Sequence, residues 1–242
     1  AVRARLGGQP GIDDLRFTRI GEAAPDPADQ MRGSSLLHIS VDGDERACGR
    51  PFSSLLVELA LANYPGIYYT GAPGNGSAYG AYWPTLVPQA RVAHTVVHAD
   101  GRRQTVPTPA TAVAAVAESP PAGPPPDFGA TQDGPLGLLV QARSGDKGGN
   151  ANLGLWVSDP AAWPWLEATM TTEELRRLLP ETSALSVERF VLGNLRAINF
   201  VIHGLLDGGA TEARRFDKQA KALGEWIRAR HVPLPTALLP RT

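Results

Sequence analysis

Cysteine is nearly absent from this chain. Cys48 stands alone in 242 residues, which excludes an internal disulfide and any cysteine-based zinc cluster. Such sparing use suits the cytoplasm, which is the expected location. Long apolar runs are also missing: none approaches the ~20 residues a transmembrane helix requires. Ala1 to Gly8 lack the apolar core of a signal peptide, so no membrane partner is expected. There is no initiating Met, and the start is expected to be a trimmed end or the edge of a longer chain. An excess of one charge is lacking as well. The net charge is -1 and the pI about 6.6. Basic residues come only in short pairs such as Arg102-Arg103, Arg176-Arg177 and Arg214-Arg215. No basic stripe exists to follow a phosphate backbone, and nucleic acid is not an expected partner.

What is present is the balance of a folded protein, with 43% hydrophobic and 19% charged residues. The sharpest break is Glu118-Ser-Pro-Pro-Ala-Gly-Pro-Pro-Pro-Asp127, where proline removes ladder donors and cannot sit inside a helix. It predicts three segments: a first domain over 1–117, a proline-rich linker over 118–133 and a second domain over 134–242.

In the first segment Leu36–Val41 reads as a strand. Pro51 opens a helix carrying Phe52, Leu55, Leu56 and Leu59, which Asn63-Tyr-Pro-Gly66 stops. Ile67–Thr70 reads as a short strand running into a glycine-rich loop. Asp100-Gly101 predicts a hairpin between Arg91–Ala99 and Arg102–Val106. In the second segment Leu136–Val140 and Leu153–Val157 read as strands. Asp159-Pro160 starts a helical stretch, and Thr171-Thr-Glu-Glu174 caps another. Val187–Leu192 and Ala197–Leu206 read as strands, and a last helix runs from Asp217 with Ala220, Leu223 and Ile227 on one face. Strand, strand, helix, strand, strand, helix predicts an α+β fold, a ferredoxin-like two-layer sandwich, preceded by a partial α/β domain.

The densest chemistry lies in Arg143-Ser-Gly-Asp-Lys-Gly-Gly-Asn-Ala-Asn152, expected to join two apolar strands. Its glycines permit positive φ and close backbone approach. A nest of amides flanked by Arg143 and Lys147 suits a phosphate or carboxylate, and Asp146 suits a paired anion or a proton acceptor. The plainer alternative is a hairpin loop whose polar side chains satisfy its own backbone. Asn194, Arg196 and Asn199 are expected to complete a polar pocket if their strand lies beside this loop, or else to cap an edge. Lys218 and Lys221 flank a helix start, with simple exposure as the alternative reading. The glycine-rich run from Thr70 to Gly80 is either a close approach to a ligand or a structural turn. His94 and His98 share a strand face, but no third ligand accompanies them and no metal is expected. Tyr64, Tyr68, Tyr69, Tyr79, Tyr82 and Trp83 form an aromatic group suited to a core, a subunit contact or an apolar groove.

Several landmarks then fall in order. Ala142-Arg-Ser-Gly-Asp-Lys-Gly148 with Asn152-Leu-Gly154 resembles the hallmark of the small C-terminal domain of the acyclic terpene utilisation (AtuA) family. Val187-Glu-Arg-Phe190, Asn194-Leu195, Ala197-Ile-Asn-Phe200, Leu206-Asp-Gly-Gly209, Asp217-Lys-Gln-Ala-Lys221 and Val232-Pro233 continue the likeness over about 134–235. Tyr69–Gly76 resembles, more loosely, a segment near the end of the family's larger domain. The chain departs at Gly149, where an acidic residue is expected, and at Ala220, where a glycine is expected. By this resemblance, the bulk of the family's large N-terminal domain is expected to lie outside these 242 residues.

The resemblance implies a component of an enzyme acting on acyl-CoA or carboxylic intermediates of acyclic terpenoid catabolism. The alternative is a non-catalytic association module or subunit that docks on a partner carrying the missing domain. The enzyme reading places catalysis on Asp146 and Lys147, and ligand binding on Arg143, Ser144, Gly145, Gly148, Asn150, Asn152, Asn194 and Asn199. An acyl-CoA or carboxylate ligand and a homo- or hetero-oligomer are the expected partners, and no cofactor is assigned.

Overall fold

The computed structural model describes residues 2–61, 65–108 and 126–239, which form two compact units, 1–78 and 79–242. Most of the proline-rich stretch, and Asn63 and Tyr64, lie outside the described residues.

The first unit begins with a short helix, α1 (Val2–Leu6), and an antiparallel hairpin of β1 (Ile12–Ile20) and β2 (Leu36–Gly43). The one-turn helix α2 (Glu45–Cys48) starts on Asp44, whose carboxylate accepts the Ala47 amide at 2.7 Å. Helix α3 (Arg50–Leu61) takes Pro51 in its first turn, where no amide donor is needed. Phe52, Leu55 and Leu59 fall on one helical face and bury together with Leu6. Leu15, Ile39 and Val41 of the hairpin pack partly buried against them. The strand expected at Ile67–Thr70 is not formed. That segment is held by its hydroxyls instead: Tyr69 donates to the Leu56 carbonyl at 2.8 Å and Tyr68 to Ser34 Oγ at 3.1 Å.

The second unit opens with an exposed hairpin, β3 (His94–Val97) and β4 (Arg103–Val106), turning at Asp100-Gly101 as expected. Strand β5 (Thr131–Pro135) follows. A four-stranded antiparallel sheet comes next, built from β6 (Gln141–Lys147), β7 (Asn150–Trp156), β8 (Val187–Leu192) and β9 (Ala197–Ile202) in the spatial order β6-β7-β9-β8. Helices α4 (Trp163–Thr169), α5 (Thr172–Leu178) and α6 (Leu223–Arg228) supply the second layer. Strand β10 (His231–Pro235) pairs with β5.

The pleat sorts the sheet into two faces. Ala151, Leu153 and Leu155 of β7 and Ile198, Phe200 and Ile202 of β9 are fully buried, in one cluster with Leu166, Leu175, Leu223 and Ile227 of the helices. Asn152, Gly154, Asn199 and Val201 alternate with them and stay half-buried on the other face. This is the two-layer α+β sandwich that the element order predicts.

Three elements of the second unit differ from expectation, each for a local reason. Leu136–Val140 is a helical turn, not a strand. Leu136 and Val140 lie four apart and are both fully buried, with the Val140 amide on the Leu136 carbonyl at 3.0 Å. The strand is the polar motif itself. The strand from Ala197 ends at Ile202, where Gly204 turns the chain with φ +72°. The last helix starts at Leu223, not Asp217, because Ala220 adopts φ +52° and breaks the helical path.

Candidate functional site

Register places most of the motif before any side chain is considered. Strands β6 and β7 pair from Gln141↔Trp156 to Lys147↔Asn150, so the expected loop shrinks to Gly148-Gly149. Ser144 and Asp146 lie opposite the core residues Leu153 and Ala151, whereas Arg143, Gly145 and Lys147 lie opposite Gly154, Asn152 and Asn150. One motif therefore serves two faces of an edge strand.

Ser144 is a structural hub. Its buried Oγ donates to the Ala220 carbonyl at 2.6 Å and accepts the Gly224 amide at 2.8 Å. Asp217 accepts the amides of Lys221 and Ala222, each at 2.9 Å. These bonds clamp the backbone of 220–224 beside β6. Lys221 then reaches Asp146, with Nζ 3.1 Å from Oδ1. Gly145 leaves the space for it, since a β-carbon there would lie 2.8 Å from Lys221 Nζ. The hydrogen bond from Lys221 holds the Asp146 carboxyl below its usual range. A backbone hydrogen bond and the charges on Lys221 and Lys147 add to the effect. Asp146 is thus an anion at neutral pH. Lys147 Nζ donates to the Asp146 carbonyl at 2.9 Å.

The other glycines of the motif also face the chain itself. Gly148, at φ +62°, meets the ring of Tyr82: a β-carbon there would lie 3.2 Å from Cε1. Gly209 meets the Tyr82 β-carbon in the same way at 3.4 Å, and Thr211 Oγ1 donates to the Gly80 carbonyl. At Gly149 any side chain would collide with the Asp207 carbonyl oxygen. That contact explains why no acidic residue stands at 149.

The remaining candidates separate. Asn152 Nδ2 donates to Asn199 Oδ1 at 3.3 Å across β7 and β9, on the half-buried face. Asn150 Oδ1 accepts the Gly204 amide at 3.0 Å and closes the turn end of the sheet. Asn194 lies in the turn Gly193–Leu195 at the opposite end, about 20 Å along β7 from the glycines at ~3.3 Å per residue. It is not brought to the motif. His203 pairs with Glu188 at 2.8 Å, and among the described residues no three His, Cys, Asp or Glu side chains come together as a metal site.

Sequence reasoning gave Lys221 and Tyr82 no place in the site. A signal for the first was available: the chain has three lysines, at 147, 218 and 221, against twenty arginines. Two of the three meet at Asp146.

The first unit holds a different kind of feature. A cleft of about 790 Å³ is lined by Phe17, Leu36, Phe52, Leu56, Tyr68 and Tyr69, among others, with Arg3 and His38 also in its wall. A second recess of about 380 Å³ lies beside Arg50, Ser53 and Glu58. No residue of 143–152 lines either one.

Residues 1–98 match the family described as acyclic terpene utilisation family protein AtuA, and residues 135–233 match the AtuA ferredoxin-like domain. No curated protein and no solved structure matches the chain. Among the described residues no helix is long and apolar enough to cross a membrane.

Proposed function

We propose that the chain, which belongs to the AtuA family of acyclic terpene utilisation, is a component of an enzyme acting on acyl-CoA or carboxylic intermediates of acyclic terpenoid catabolism. The cleft in the first unit carries this reading. Its volume falls in the range of small-molecule sites, and its walls combine aliphatic and aromatic side chains with a few polar groups. A branched hydrocarbon chain suits those walls, and Arg3 offers a cation for the carboxyl end. The guanidinium of Arg3 already lies 4.8 Å from the centre of the Phe17 ring, which fixes it at the wall. Titration calorimetry with a branched ten-carbon acid and its CoA thioester tests the reading. Leu36→Arg alters a half-exposed wall residue and is expected to abolish binding of the acid. Equal affinity in the variant and the parent would rule the cleft out.

A second reading, a non-catalytic association module or subunit that docks on a partner carrying the rest of the large domain, is favoured by a separate observation. Gly145, Gly148 and Gly149 accommodate Lys221, Tyr82 and Asp207 of the same chain, so the motif's shape has a purpose without a ligand. Light scattering after size exclusion distinguishes the two. A stable monomer that captures no large-domain partner removes the second reading. A cytoplasmic location and an oligomeric state belong to the same proposal, the first resting on the lone cysteine.

A further inference from the structure

The turn end of β6 carries an arrangement that neither reading uses. Tyr82 rests on two glycines, Gly148 and Gly209, which have no side chains to lift it away, and it is still 58% exposed. Lys147 precedes Gly148 at the end of β6, and Lys221 reaches β6 from the turn before α6; both are close enough to influence the Asp146 carboxyl. Two ammonium groups thus converge on one short stretch of β6, Lys221 on the Asp146 carboxylate and Lys147 on the Asp146 carbonyl. Lys221 is not a loose surface lysine: the bonds from Ser144 and Asp217 fix its backbone, and its side chain remains 56% exposed. Elsewhere the chain carries its positive charge almost entirely on arginine. A compact ammonium on a flexible stem suits a phosphate that must be held as a point charge.

We propose that this end of the sheet binds a nucleotide, with the base stacked on Tyr82 and the phosphates on Lys147 and Lys221. Base–aromatic stacking tolerates any base and needs only an exposed ring face. Two to three residues separate Gly148 from Gly145 and Asp146, about 7–10 Å along a strand, which places ring and cations on one short ligand. The proposal rests on the preceding reading only for the source of the nucleotide, the adenosine bisphosphate handle of a CoA thioester.

The test uses the full chain with adenosine 3′,5′-bisphosphate, CoA and inorganic phosphate as probes, read by calorimetry and by chemical-shift changes at the Gly148 and Gly149 amides. The bisphosphate and CoA are expected to bind with similar affinity, and inorganic phosphate more weakly. Tyr82→Ala is expected to weaken the bisphosphate about tenfold, the value of one stacked base. Tyr82→Phe should retain affinity, which separates stacking from a folding defect. Lys221→Gln should weaken binding and flatten its salt dependence. No bisphosphate binding at millimolar concentration, or equal loss in Tyr82→Phe and Tyr82→Ala, overturns the proposal. Binding of the branched acid without the bisphosphate removes this inference and leaves the cleft standing. The bisphosphate binding without the acid supports this inference and removes the cleft.

Discussion

Phe200, Leu153 and Ile198 in the second unit have no exposed surface at all, whereas Phe52 and Leu55, among the best-buried residues of the first unit, are each 9% exposed. Among the described residues, the larger core joins twenty-four buried side chains and the smaller joins four. Both units combine helices with an antiparallel hairpin, so the difference is one of closure. The second has a full layer of helices over one sheet face. The first has a two-stranded ribbon and one long helix, with Leu36, Leu37 and Val57 left about half exposed. A small hydrophobic core stabilises little, and regions of sparse burial are where binding surfaces tend to lie. The dense unit can therefore hold a lysine in a fixed place, while the thin unit leaves a cleft open between its hairpin and its helix.

The largest expected effect tests that contrast directly. Phe200→Ala should destabilise the second unit by about 3–5 kcal/mol, because tight neighbours cannot collapse into the cavity. Leu55→Ala should cost the first unit nearer 2 kcal/mol, the low end for a buried leucine. Hydrogen exchange read separately over 151–156 and 52–59 checks both. Equal losses would erase the distinction between the cores. Next in size is Ser144→Ala, which strands the Gly224 amide and the Ala220 carbonyl in a buried site at about 1–3 kcal/mol. It should also raise exchange at 221–224 beyond the global loss. A uniform change would show that Ser144 merely fills space.

The same contrast governs what was legible in the sequence. The second unit could be read nearly element by element, since alternation in Ala151–Leu155 and Ile198–Ile202 reports a sheet with one buried face. Leu136–Val140 misled because a short apolar run carries no period that separates a strand from a helical turn. Ile67–Thr70 misled because its order comes from two tyrosine hydroxyls bonded to distant atoms. The motif at 143–152 stood out, but the reasons for its glycines did not. Each faces a residue remote in sequence, Lys221, Tyr82 or Asp207, and at Gly149 the Asp207 carbonyl leaves no room for a side chain; spacing within a motif cannot show what packs on it. Lys221 was visible at a helix start, but nothing in its spacing showed that it reaches Asp146.

Smaller effects refine the picture of the dense unit as a rigid holder. Asp146 is ionised with its carboxyl held low by Lys221. A depressed folded value means that the contribution is present above the ordinary carboxylate range, near 3.9. It is lost only as pH falls through the still lower folded value. A carbon-detected titration of the Asp146 carboxyl should therefore give a midpoint below 3.9, rising in Lys221→Gln. Because the pair is solvent-exposed, Asp146→Asn should leave denaturation midpoints at neutral pH nearly unchanged. An ordinary midpoint would mean that Lys221 is not held where the structure places it.

The smallest effect is expected at Ala220, and its smallness is informative. At φ +52° an alanine is strained, by about 1–2 kcal/mol. Glycine would relieve that strain. It would also remove a fully buried methyl, at about 0.8 kcal/mol, and add backbone freedom to the unfolded chain, at about 0.5–1 kcal/mol. The three contributions nearly cancel, so Ala220→Gly should leave the stability of the second unit within about 0.5 kcal/mol of the parent. The near-cancellation accounts for an alanine at a position whose backbone suits glycine: the packed core repays the strain with a methyl contact. A clear gain on Ala220→Gly would mean that the methyl is poorly packed and that this corner of the dense core is looser than its burial indicates.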